Sequence, residues 1–195
     1  AHGGAWSTVK LNDILERVEQ SEEINTDESY RLIGVRLAGE GPFLRETKTG
    51  VEIKATRLNR VTKGLFIYSR LFAWRGAFGL VPPELDGGYA SNEFPTYRIN
   101  HAVVIPDFLR LYFSRPVVWQ TVEKKCQGTT KASRNRFKEE FLLGMSISLP
   151  TLEVQQAIIE RAKSLSELHT TLRDLAQEFG HAPLDVLAST YRGKL

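Results

Sequence analysis

An α+β fold, with a mixed or antiparallel sheet followed by a long coiled-coil-like helix, is what this 195-residue chain predicts. Three observations carry it. The first hundred or so residues break into short apolar runs divided by Gly, Pro, Asn and Asp, the punctuation of strands and turns. Two proline-opened helical stretches come next, so strands precede helices instead of alternating with them, which excludes a doubly wound α/β order. From Leu152 to Gly180 there is no proline and no internal glycine, and apolar residues recur every seven positions, the period of a coiled-coil seam.

Each element follows in turn. Leu11, Ile14, Leu15 and Val18 have helical spacing and predict a short helix over 11–20, capped by Asn12 or Asp13. Ser21 to Glu28 is polar and acidic and reads as a loop. Tyr30 to Leu37 alternates as a strand and ends at Gly39-Glu40-Gly41-Pro42. Further short strands are predicted at 51–54, 65–72, 77–81 and 96–99. Ser91-Asn92-Glu93-Phe94-Pro95 reads as a turn in which Asn92 and Glu93 satisfy nearby backbone groups. Pro106 opens a helix reaching about Ser114, and Pro116 a second reaching about Cys126. In the last segment Ile158, Leu165, Leu172 and Phe179 form the seven-residue repeat, with Leu168 and Leu175 at the intermediate positions. These six residues make an association seam, or else one face of a helix packed on its own domain. Arg161 and Ala162 weaken the first heptad. Gly180 stops the helix, and Pro183 delays a short terminal helix over Leu184 to Tyr191. The resulting domains are a globular part, 1–150, and a helical part, 151–195.

Apolar residues make up 42% of the chain and charged ones 25%, the ordinary balance expected of a soluble globular protein. No apolar run approaches the ~20 residues a bilayer span needs. The lone Cys126 excludes an internal disulfide, which suits a reducing cytoplasm. Charge is uneven: residues 1–50 carry −3, residues 51–140 carry +7, and residues 141–195 carry −1. A basic middle is what a phosphate-facing surface needs, although a solvated basic face has the same composition. Lys48, Lys54, Arg57, Arg60, Lys63, Arg70 and Arg75 crowd together with only Glu52 opposing. A second run, Lys124 to Lys138, holds six bases and no acid. Its Thr129, Lys131, Arg134, Asn135 and Arg136 suit DNA, with Lys and hydroxyls for phosphate, Arg for guanine and Asn for adenine. Trp74, Trp119 and Phe94 are core candidates, and Arg110 and Arg115 lie on a solvated helix face.

Catalytic parts are missing from the pattern. His2, His101, His169 and His181 have no Cys or carboxylate at metal-ligand spacing. There is no dinucleotide fingerprint, P-loop or nucleophile elbow. Glu52-Ile53-Lys54 lacks the upstream acidic ligand of a nuclease and reads as ordinary strand. The expectation is a chain without metal or catalytic residues.

Five segments in order carry a resemblance: Trp6 with Val9 to Leu15; Gly64 to Arg70 with Arg75 to Gly79; Ser91 to Ile99; Phe141 to Gln156; and Tyr191 to Leu195. Together they resemble a target-recognition unit of type I restriction–modification specificity subunits, over nearly the whole chain. The resemblance implies a non-catalytic, cytoplasmic DNA-specificity component that reads one half of a bipartite site in double-stranded DNA. It implies methyltransferase subunits as partners, and a restriction/translocase subunit through them, with S-adenosylmethionine, magnesium and ATP on those partners. It also implies a second recognition unit, or a second copy, paired through the long helix. The basic loop before residue 141 matches the family's Gly-Ser/Thr-rich loop. A recognition domain of a fused restriction–methylation enzyme, and a coiled-coil adaptor, are the alternatives.

Overall fold

Pairing between distant strands organises the first 150 residues. The computed structural model of the chain describes residues 6–126 and 136–180. Its strands are β1 (Ser7–Lys10), β2 (Leu15–Val18), β3 (Ser21–Glu23), β4 (Ser29–Arg36), β5 (Gly41–Thr49), β6 (Arg57–Arg60), β7 (Phe66–Tyr68), β8 (Phe78–Leu80), β9 (Tyr89–Ala90), β10 (Thr96–Ile99) and β11 (Ser146–Leu149). Helices α1 (Pro106–Phe113), α2 (Pro116–Lys125), α3 (Glu139–Leu143) and α4 (Leu152–Gly180) join them, with four short 3-10 turns among the described residues. Three sheets form: β1-β11, β2-β10-β7-β8 and β3-β6-β9-β4-β5. The first two are antiparallel, and the third is mixed because β4 meets β9 in parallel. The α+β class with a long final helix is therefore as expected. The chain divides into two compact units, Ala1–Gln156 and Ala157–Leu195.

Aromatic rings from separate elements build the main core. Phe66, Tyr68, Phe78, Tyr97, Phe113 and Phe137 are all buried. Phe78 lies 4.5 Å from Phe113 and 5.6 Å from Tyr68, ring centre to ring centre, within the range where ring quadrupoles add to burial. A smaller cluster of Tyr30, Leu32 and Leu58 packs on the mixed sheet with Tyr89. Trp119 donates its indole N–H to the Phe113 carbonyl at 2.6 Å and lies against Gly76. That glycine has φ +79°, and a Cβ there would sit 2.4 Å from the Trp119 ring.

Four expected elements differ. The helix over 11–20 is absent: Leu11–Asp13 makes one 3-10 turn and Leu15–Val18 is β2. Pairing of Leu15 with Ile99 and Arg17 with Tyr97 overrides the local helical spacing. The strand over 51–54 is absent too. There the Glu52 carboxylate accepts from the Thr49 backbone N–H at 2.8 Å and the Thr49 hydroxyl at 2.7 Å, which turns the chain. The segment read as a loop opens with β3, an edge strand. The strand over 65–72 contracts to Phe66–Tyr68.

The first turn of α4 is fastened to the globular unit by Gln155, which is fully buried. Its Oε1 accepts from the Ile105 backbone N–H at 2.9 Å, while Nε2 donates to Val103 O at 3.1 Å and Pro150 O at 2.9 Å. One side chain thus satisfies both the loop before α1 and the turn after β11. The terminal helix expected at 184–191 lies outside the described residues.

Candidate nucleic-acid interface

Glu139 at the start of α3 gathers three elements. Arg17 of β2 approaches it at 2.7 Å, Tyr97 of β10 donates its hydroxyl at 2.8 Å, and Arg70 pairs with the other carboxylate oxygen. Burial opposes ionisation of Glu139, but the Tyr97 and Arg70 hydrogen bonds and the Arg17 charge outweigh it and hold the carboxyl below its ordinary value. Burial pushes the Tyr97 and Tyr68 hydroxyls well above the ordinary tyrosine value, so both remain neutral donors. Two backbone bonds extend this knot: Phe137 N–H to Arg70 O, and Arg70 N–H to Glu93 O, both at 2.9 Å. Arg136 closes it on the surface by pairing with Glu93 at 2.6 Å. The other Glu93 oxygen is buried without a partner among the described residues.

The bases singled out in the sequence meet carboxylates from elsewhere in the chain. Lys48 pairs with Glu46 at 3.2 Å and Arg60 with Glu22 at 3.8 Å. Arg57 is used completely, giving Nε to Ser21 Oγ, one terminal nitrogen to Glu23 at 2.8 Å and the other to Ser21 O. Arg70 belongs to the Glu139 knot. Arg75 is exposed, with its guanidinium 5.8 Å from the Trp74 ring centre. The linear count with Glu52 as the lone opposing acid therefore does not survive folding: Glu22, Glu23, Glu46 and Glu139 pair with four of its seven bases. Lys54, Lys63, Arg75, Lys124 and Lys125 have no carboxylate partner among the described residues. Lys48 and the β6 arginines do not form one patch, because β9 and β4 separate their strands. Thr129, Lys131, Arg134 and Asn135 lie outside the described residues.

A polar cleft of about 500 Å³ opens beside β6, lined by Ser21, Lys54, Thr56, Asn59, Ser91 and Asn92 together with Glu19 and Arg57. The Ser91 turn is formed as expected, with Phe94 N–H donating to Ser91 O at 3.0 Å. Its polar residues act differently from expectation. Glu93 takes Arg136 instead of backbone, and the exposed Asn92 faces the cleft. Asn59 was not singled out by sequence, although strand alternation in Arg57-Leu58-Asn59-Arg60 marks it as facing opposite to Leu58. Gln155 was likewise passed over.

On α4, Leu165, Leu168, Leu172, Leu175 and Phe179 are all exposed large apolar residues, and Ile158 is half-buried. Leu165 and Leu168 line a shallow groove of about 530 Å³ with Ala157, Glu160, Arg161 and Ser164. An apolar stripe of this kind along a helix of 29 residues, with solvent on it, is unusual for a surface that stays uncovered. Among the described residues no helix is long and apolar enough to cross a membrane, and no three His, Cys, Asp or Glu side chains could jointly hold a metal ion.

A mixed-sheet α+β domain feeding directly into a long helix with an exposed apolar stripe defines the fold class. The fold is that of type I restriction–modification specificity subunits. The HsdS subunit from Thermoanaerobacter tengcongensis superposes with a TM-score of 0.72 at 21% identity, over 91% of this chain and 46% of that one. A second chain, from a structure of complex assembly and conformational transition of the type I R-M system, gives 0.68 at 21% identity, over 90% and 45%. The S subunit from M. genitalium gives 0.54 at 14% identity, over 93% and 46%. The chain thus spans about half the length of the solved structures it matches. No protein-family model matches it, and no curated protein matches it.

Proposed function

We propose that this chain is one recognition unit of a type I specificity subunit, reading one half of a bipartite site in double-stranded DNA. The observation that carries the reading is the shared fold over 91% of the chain, helix included. Residues 1–150 bind DNA and residues 151–195 space and pair the unit. The seam of Ile158, Leu165, Leu168, Leu172, Leu175 and Phe179 takes a second recognition unit or a second copy of this chain. Its exposed leucines support that role, since in a pair they would leave water. The unit is non-catalytic and delivers its sequence to methyltransferase subunits and, through them, to a restriction/translocase subunit in the cytoplasm. S-adenosylmethionine, magnesium and ATP belong to those partners.

Phosphate grip falls to cations left free of carboxylates, Lys54, Lys63, Arg75, Lys124 and Lys125, with Lys131 from the basic run. Thr129, Arg134, Asn135 and Arg136 extend the surface from that run. Arg57, Arg60 and Arg70 hold the scaffold and act on DNA through it. With about six phosphate contacts, affinity for duplex DNA falls about 10³-fold between roughly 50 and 200 mM salt. Fluorescence anisotropy of the full chain on duplex DNA across that range measures it. Reconstitution with type I methyltransferase subunits and mapping of the methylated sites then reads the half-site. Binding that ignores salt, or no binding at any salt, rejects the reading.

A further inference from the structure

We propose that Glu93 is a positioning residue that holds Arg136 as a reader of guanine and keeps it off phosphate. The inference rests on the DNA-recognition reading and adds the pair of residues and the base.

One residue's backbone carries both partners. Arg70 donates its N–H to Glu93 O and accepts the Phe137 N–H on its own carbonyl, each at 2.9 Å. Phe137 is fully buried, and its carbonyl accepts the Tyr68 hydroxyl at 3.1 Å. Glu93 is held from its other side by the turn that Phe94 N–H closes on Ser91 O. The two side chains thus start from fixed backbone beside the core and meet at 2.6 Å. Their exposure is unequal, 24% for Glu93 and 55% for Arg136. Glu93 Oε2 is buried without a partner, so Arg136 is the one side chain among the described residues that hydrogen-bonds this carboxylate. Arg70 adds its field, but its guanidinium is bonded to Glu139. A half-buried carboxylate bonded at a single oxygen holds its cation more firmly than an exposed one does. Arg98 and Glu16, both more than half exposed, make the ordinary surface pair for contrast.

The donors that remain select the ligand. Arg136 gives one terminal nitrogen to Glu93, while Nε and the other terminal nitrogen bond no protein group among the described residues. Arg57, by comparison, has all three nitrogens engaged. A guanidinium donates along more than one edge of a rigid plane, so Arg136 keeps an open edge for a second planar partner. Guanine presents the matching pair of acceptors, N7 and O6, in the major groove. Phosphate is the poorer ligand here. The Glu93 charge cancels most of the pull of Arg136 on an anion and leaves its directed hydrogen bonds intact. Lys54, Lys63, Lys124 and Lys125, without such a carboxylate, suit phosphate instead.

The test uses the full chain and a randomised duplex DNA pool, with affinity selection and sequencing of the bound fraction. Anisotropy on an unrelated duplex across a salt series runs beside it. Wild type enriches guanine at one position where Arg136→Ala lowers the preference by about 5- to 150-fold. Glu93→Ala lowers it at the same position by about 5-fold or more and leaves the other positions alone. It binds the unrelated duplex no more weakly than wild type, with a salt slope steeper by about one, because Arg136 is released to phosphate. A merely structural residue would weaken binding to every sequence alike. Glu93→Gln, of the same shape without the charge, steepens the slope in the same way and serves if alanine disturbs the fold. Added to Arg136→Ala, Glu93→Ala changes nothing further. A guanine preference that survives Arg136→Ala or the folded Glu93 variants overturns the proposal. So do uniform weakening across sequences, additive effects of the two substitutions, or loss of folding in both Glu93 variants, which makes the pair structural. A wild type that enriches no motif at any salt rejects the DNA-recognition reading itself.

Discussion

Replacing Glu139 with Gln keeps the shape of the knot around α3 and removes its charge. Arg17 and Arg70, each with side chains 24% exposed, then face a neutral amide instead of a carboxylate that is 26% exposed. Arg17 keeps one carboxylate, Glu19 at 3.7 Å, beside its hydrogen bonds to the Val18 and Thr96 carbonyls at 2.7 and 3.2 Å. Breaking a fully buried pair costs ~3–5 kcal/mol, and screening at a site one-quarter open reduces that. The expected loss is about 3 kcal/mol, or about 6–12 °C in melting temperature for a domain of this size. Urea unfolding followed by the fluorescence of Trp74 and Trp119 measures it. The pH dependence supplies a second, independent check. The folded carboxyl titrates below its ordinary value of 4.5, so the unfolded chain takes up the proton first as pH falls. The stabilisation is full above the ordinary value and decays as pH drops through the folded one. Wild type and Glu139→Gln should therefore diverge at neutral pH and converge in acid. A deficit below about 1 kcal/mol at pH 7, or a deficit that persists unchanged in acid, refutes the assignment of this charge as the tie between β2, β10 and α3.

Two further outcomes follow from other parts of the fold. Gly76→Ala forces a Cβ against the Trp119 ring from a left-handed backbone; it should cost about 2–4 kcal/mol in the same urea assay and shift the Trp119 emission. Leu165→Glu with Leu172→Glu places charge on a seam that is exposed in the single chain; sedimentation should show wild type self-associating and the double variant monomeric, with the melting of the globular unit unchanged.

Where structure was set locally, it was legible in sequence. The prolines at 106 and 116 announced α1 and α2, and the heptads from Ile158 to Phe179 announced α4 to within a residue of its end. Where structure was set by distant partners, it was not. The apolar spacing from Leu11 to Val18 mimics a helix because a 3-10 turn and a short strand, placed end to end, happen to reproduce it. The Glu139 knot draws on residues 17, 70, 97 and 139, a spacing no linear pattern carries. The same blindness inflated the basic stretch around Arg57 to Arg70, whose counter-charges arrive from β3 and α3.

The pairing of Ser7 with Leu149 sets a timetable for synthesis. A ribosome releases β1 long before β11 exists, and at ~5–20 residues per second the wait is roughly seven to thirty seconds. Through that interval the second strand of the β1–β11 ribbon is missing, and Leu11 lacks the Met145 carbonyl that its N–H will reach at 2.9 Å. Closure of the domain is thus a late event in translation, occurring just before α4 begins to emerge. The exposed apolar stripe of the helix consequently leaves the ribosome only when the unit that precedes it can close.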